Sequence, residues 1–285
     1  MDLLQSAVDG VRIAYTRKGS GPPVVLLHNA GATYRIWLAQ IDALAAAGYT
    51  VYALDLHGYG ESEKPFGIAH YTLARYTRTV CAFLKHHQLS EPALVGNCLG
   101  AAVAVSLART TNVAAVVAIN PLTRLTARDG TYGPLARVIG ATPTRVLDTA
   151  SRWRTPGWLP HAIARSAWFG DSTAARTPLS TDFAAAFPAW ALTGMVHDMP
   201  NFAALETWPP TPGLRPPLCT IWGSRNRVLS AAAGGRLAAA WQPEREVRLP
   251  DCGHVPMLEQ PDRVSAILVE FLDEHFPAVV PQGRR

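Results

Sequence analysis

Residues 92–108 read as an apolar strand, a turn and a helix, and that turn constrains the chain more than any other feature. Pro92-Ala93-Leu94-Val95 leads into Gly96-Asn97-Cys98-Leu99-Gly100, and an alanine-rich apolar stretch runs on from Ala101 to Ala108. A strand that reverses into a helix over five residues holds its central residue on a strained backbone and needs small neighbours. Glycines two places before and two places after Cys98 meet that need. The thiol is thereby placed at a helix N-terminus, which favours negative charge. The position predicts a cysteine held as its thiolate, a strong nucleophile.

Similar punctuation recurs on both sides. Val11-Arg12-Ile13-Ala14-Tyr15-Thr16 alternates as a half-exposed strand does. Val24 to Leu27, Thr50 to Leu54 and Val113 to Ile119 are short apolar runs, the signature of strands buried on both faces. Helical spacing covers 36–47 and 71–87. Beyond residue 216 come strands at 217–222 and 244–249 and helices at 231–241 and 261–276. Short connections between alternating elements predict an α/β fold with a doubly wound, mostly parallel sheet.

The alternation fails between Leu122 and Arg215. This stretch holds Trp153, Trp158, Trp168, Trp190 and Trp208, with short helical fragments at 137–149 and 181–191. An insertion there is expected over the carboxyl edge of the sheet, where open α/β folds bind ligands. The chain divides into a core of 1–121 and 216–276, a helical lid of 122–215 and a loose tail of 277–285.

The net charge of +5 comes from scattered arginines, so no nucleic-acid stripe is read. No run approaches the ~20 apolar residues of a membrane span, and residues 1–6 have no secretory pattern. Cys81, Cys98, Cys219 and Cys252 show neither a disulfide framework nor zinc spacing. These features predict a cytoplasmic protein with reduced thiols, no metal or organic cofactor, and no nucleic-acid or membrane partner.

Four more segments carry chemistry. His28-Asn29-Ala30-Gly31 is similar to a His-Gly-x-Gly oxyanion loop, with Asn29 in place of glycine. Asp55-Leu56-His57-Gly58-Tyr59-Gly60-Glu61-Ser62 is similar to an Asp-x-x-Gly-x-Gly-x-Ser turn. Trp222-Gly223-Ser224-Arg225-Asn226 is similar to a Trp-Gly-x-x-Asp segment, and Cys252-Gly253-His254 to a Gly-His segment. With the Gly96–Gly100 elbow, these motifs resemble the α/β-hydrolase fold superfamily in order and spacing, as a variant with cysteine at the nucleophile elbow. The resemblance implies a helical lid inserted after the sixth strand of the sheet. It implies Cys98 as nucleophile, His254 as general base, and the backbone N–H groups of Ala30 and Leu99 as oxyanion hole. Substrate is expected against Asn29 and the lid tryptophans Trp153, Trp158, Trp168 and Trp190.

Two positions depart from that family's pattern. Cys98 replaces serine, and Asn226 stands where the acid is usual; Asn120, in the other acid slot, is also an amide. With a thiolate–imidazolium pair an amide suffices to orient the ring, as in Cys-His-Asn sites. Asp251 and Asp198 are the rival carboxylates. His57 could face the site. The expected function is acyl transfer, cyclisation or hydrolysis through a Cys98 thioester, on an apolar ester or thioester, in a biosynthetic setting. An acyl carrier protein or coenzyme A thioester is an expected donor. The alternatives are a lyase with His254 as base, or a non-catalytic ligand-binding homologue.

Overall fold

The structure is a computed structural model that describes residues 2–150, 168–170, 188–208 and 215–277. Asp9 and Gly10 take φ of 50° and 73°, the type I′ pair that a two-residue hairpin needs. They join β1 (Leu3–Val8) to β2 (Val11–Lys18), with Val8 opposite Val11. β1 lies ahead of the alternation that the sequence shows from residue 11 onward. β2 pairs antiparallel with β4 (Thr50–Leu54). The rest of the sheet is parallel: β3 (Pro23–Leu27), β5 (Ala93–Asn97), β6 (Ala115–Ile119), β7 (Leu218–Gly223) and β8 (Arg245–Leu249). The spatial order is β1-β2-β4-β3-β5-β6-β7-β8.

Side chains of a strand alternate between faces, so each central strand feeds two cores. Val24 and Leu26 join Ile41 and Leu44 of α1 (Leu38–Ala46) and Leu268 and Phe271 of a long C-terminal helix (Pro261–His275). Val25 and Leu27 join Tyr76 and Phe83 of α2 (Leu73–His86) and the apolar α3 (Leu99–Ala108) on the other face. Burial on both faces is why these strands are continuous apolar runs. Each such buried side chain contributes roughly 1.5–3 kcal/mol.

Between β6 and β7 the described residues form α4 (Arg124–Arg128), α5 (Gly133–Ala141), α6 (Thr144–Ala150), α7 (Ala189–His197) and a 3₁₀ stretch (Met199–Glu206). The expected helix over 137–149 is two helices. Pro143 ends the first, and Thr142 before it is extended (φ −85°, ψ 131°), as a residue preceding proline should be. Most of the expected 181–191 fragment lies outside the described residues, as does nearly all of the 277–285 tail. Among the described residues no helix is long and apolar enough to cross a membrane.

Candidate active site

The β5–α3 turn is held by its own backbone. Cys98 takes φ 52° and ψ −107°, a region costly for any residue with a side chain. Its N–H donates to Ile119 O at 3.0 Å, and Gly100 N–H donates to His28 O at 3.1 Å. A Cβ on Gly96 would lie 2.2 Å from the carbonyl carbon of Gly100, and one on Gly100 would lie 2.0 Å from Leu27 O. Both glycines are therefore obligatory. The thiol ends at the tip of β5, 4% exposed.

His254 sits on the loop after β8, with its backbone fixed from three sides. Its N–H donates to Trp168 O at 2.7 Å. Its carbonyl accepts from Asn97 Nδ2 at 3.2 Å and Asn120 Nδ2 at 3.1 Å. Asn120 Oδ1 meanwhile accepts from Gly223 N at 3.1 Å, tying β6, β7 and the histidine loop together. The second acid slot thus holds a clamp that uses both ends of an amide.

The ring of His254 meets Asn226, whose Oδ1 lies 3.2 Å from Nδ1. The same oxygen accepts backbone N–H bonds from Val228 at 3.0 Å and Leu229 at 3.1 Å. Only an acceptor can face two N–H donors, so the amide orientation is fixed and His254 Nδ1 must be the donor. Nε2 is then the ring nitrogen with the free lone pair. Neither rival carboxylate reaches the ring. Asp251 is exposed and paired with Arg225, and Asp198 receives the N–H groups of Leu73 and the Asn201 amide.

The expected thiolate–imidazolium pair is not what the surroundings favour. Burial pushes the Cys98 thiol up to about 12, against the opposing pull of the N–H groups of Leu99 and Ala30. Burial also holds His254 down to about 3. The two N–H groups do not offset the lost hydration of a sulfur anion. Burial thus favours the uncharged form of each, thiol and imidazole.

A cavity of about 220 Å³ has both Cys98 and His254 in its wall, together with Ala30, Trp168, Met195 and Val228. Its lining among the described residues has no charged side chain, and α5 supplies Leu135, Ala136 and Ile139. Of the other expected contacts, Trp190 packs edge-on against Phe66 with ring centroids 5.2 Å apart. Asn29 is fully buried, its amide donating to Ala30 O and accepting from Asn97. Trp153 and Trp158 lie outside the described residues. His57 faces away, its Nε2–H donating to His70 O at 2.8 Å and its ring stacked on Tyr76. Asp55 accepts from the N–H groups of Tyr34 and Glu61 and holds the turn that follows β4. Asn97, Asn120 as a clamp, and Glu259 (below) were not drawn from the sequence as site residues.

The model of the alpha/beta hydrolase family matches residues 24–267. Epoxide hydrolase A of Mycobacterium tuberculosis is 28% identical over 93% of this chain and 95% of its own length. Bifunctional epoxide hydrolase 2 of Sus scrofa is 37% identical over 35% of this chain and 18% of its own. The chain spans less than half the length of the first curated relatives it matches. Among solved structures, a thermophilic esterase from Thermogutta terrifontis covers 96% of this chain with TM-score 0.76 and 22% identity, all of that chain being covered.

Proposed function

Because this chain belongs to the alpha/beta hydrolase family, and is therefore an enzyme, we propose that it transfers acyl groups through a thioester on Cys98. The observation that carries the reading is the Cys98 thiol, set between the N–H groups of Ala30 and Leu99 and opening on the same cavity as His254. His254 Nε2 takes the thiol proton as sulfur attacks the substrate carbonyl. The oxyanion is held by the two N–H groups. The intermediate expels an alkoxide or thiolate, which the imidazolium protonates. An acceptor O–H or N–H then loses its proton to His254, attacks the thioester and releases Cys98. Asn226 Oδ1 keeps Nδ1–H oriented throughout, without a carboxylate to stabilise the imidazolium.

The nucleophile selects the substrate class. Sulfur that opened an epoxide or displaced a halide would end as a thioether, with no carbonyl for an acceptor to attack. The enzyme would be consumed. Attack on an ester or thioester leaves a thioester, which turns over. The uncharged lining supports a neutral, apolar acyl group under a lid built from α4–α7. A coenzyme A or carrier-protein donor would place its acyl end here and its charged part outside.

Intact-protein mass after incubation with neutral alkyl and aryl esters and thioesters tests the reading. An acyl adduct on Cys98 is expected, and no adduct with any donor would sink it. In the same assay Asn226→Asp is expected to fold normally, because the carboxylate accepts the same three N–H donors. It should raise hydrolysis relative to transfer by roughly tenfold, through better support of the imidazolium. An unchanged ratio removes Asn226 from the mechanism.

One observation favours a second reading. Asn226 fixes Nδ1 of His254 as the donor, which leaves the Nε2 lone pair free to take a proton, and burial disfavours the charged forms of both His254 and Cys98. In a lyase His254 would deprotonate carbon and the two N–H groups would hold the enolate.

A further inference from the structure

We propose that Glu259 is a positioning residue that locks the cavity wall and the catalytic-loop histidine into one unit. One carboxylate oxygen accepts the N–H of Gly170 at 2.7 Å, and the other accepts the N–H of Gly253 at 2.8 Å. Residues 168–170 belong to the insertion between β6 and β7, and Gly253 precedes His254. Two backbones distant in sequence are thus held by the two oxygens of one carboxylate. Charge-assisted bonds of this kind are the stronger ones.

The joint has no slack. A Cβ on Gly253 would lie 2.3 Å from Gly170 N, and one on Gly170 would lie 2.8 Å from Gly253 N. The next contact along is His254 N–H to Trp168 O, and Trp168 and His254 both line the cavity. Moving Trp168 therefore moves His254. The wall that measures the acyl group and the base that moves the proton share one support. Glu259 touches neither substrate nor reacting atoms.

This assignment needs no acyl-transfer chemistry, so it is tested without substrate, on the full chain. Amide hydrogen exchange and peptide-resolved alkylation of Cys98 by iodoacetamide are compared in wild type, Glu259→Gln and Gly170→Ala. The glutamine keeps the shape and sets an NH₂ against one of the two N–H donors; the alanine wedges the joint and leaves Glu259 intact. Exchange should quicken about tenfold or more in 168–170 and 251–255 together, as expected for losing one charge-assisted bond at a local opening. Exchange elsewhere should be unchanged. The alkylation profile, which the burial of Cys98 should hold at high pH in wild type, should shift toward the ordinary thiol range as water enters. Loosening of one segment alone, or an unmoved alkylation profile, overturns the proposal. If Glu259→Gln does not fold, Gly170→Ala decides by the same criteria.

Discussion

Cys98→Ala is expected to lower kcat by about 10⁴-fold or more on an ester substrate, and His254→Ala by a similar factor, as for paired nucleophile and base residues that act as a unit. The two losses should not multiply in the double variant, since each alone stops thioester formation. Cys98→Ser should not rescue the reaction. An alcohol is a far weaker acid than a thiol, and His254 has only Asn226 Oδ1 behind it. Steady-state rates for the four variants check this. Substantial turnover by Cys98→Ala, with His254→Ala inactive, would replace the covalent scheme with the lyase reading.

Asn120→Asp is expected to destabilise the fold by about 3 kcal/mol at neutral pH, the scale for a buried group facing the wrong partner. Asn120 is fully buried, and its Nδ2 donates to His254 O at 3.1 Å and Gly253 O at 3.4 Å. A carboxylate would set an oxygen against both carbonyls. Repulsion and burial would raise its folded-state pKa above the unfolded value. The stability it retains is then greatest in acid, where a protonated oxygen can donate to one carbonyl, and is lost as pH rises through the folded pKa. Thermal unfolding as a function of pH measures the effect, and activity should fall with it as His254 loses its support. A stable, more active Asn120→Asp would show that this slot serves as an acid position.

The central sheet was legible because strands buried on both faces cannot hide their composition, and β3 to β7 each lie within one or two residues of the expected runs. The elbow was legible because only glycine fits at 96 and 100. β1 was not, since it is an edge strand whose first three residues are exposed. Its signal was the Asp9-Gly10 turn rather than its own residues. The His254–Asn226 contact is legible from motif spacing, but the protonation state of Cys98 and His254 is not. That state depends on burial, and a helix N-terminus can be seen in a sequence where lost hydration cannot. The same is true of Glu259 and Asn120, whose partners lie 89 and 134 residues away.

The elbow takes its shape from contacts that do not involve the side chain at its centre. The N–H of Cys98, the N–H of Gly100 and the collisions that forbid a Cβ at 96 and 100 are all main-chain matters. The turn is therefore a socket, and the atom plugged into it is free to differ. Oxygen or sulfur could occupy the same point, with the same two N–H groups and the same cavity before it, at little cost to folding. Such a scaffold separates the evolution of reactivity from that of stability. One replaced atom changes which bonds the enzyme can make and release, while the sheet beneath it registers almost nothing.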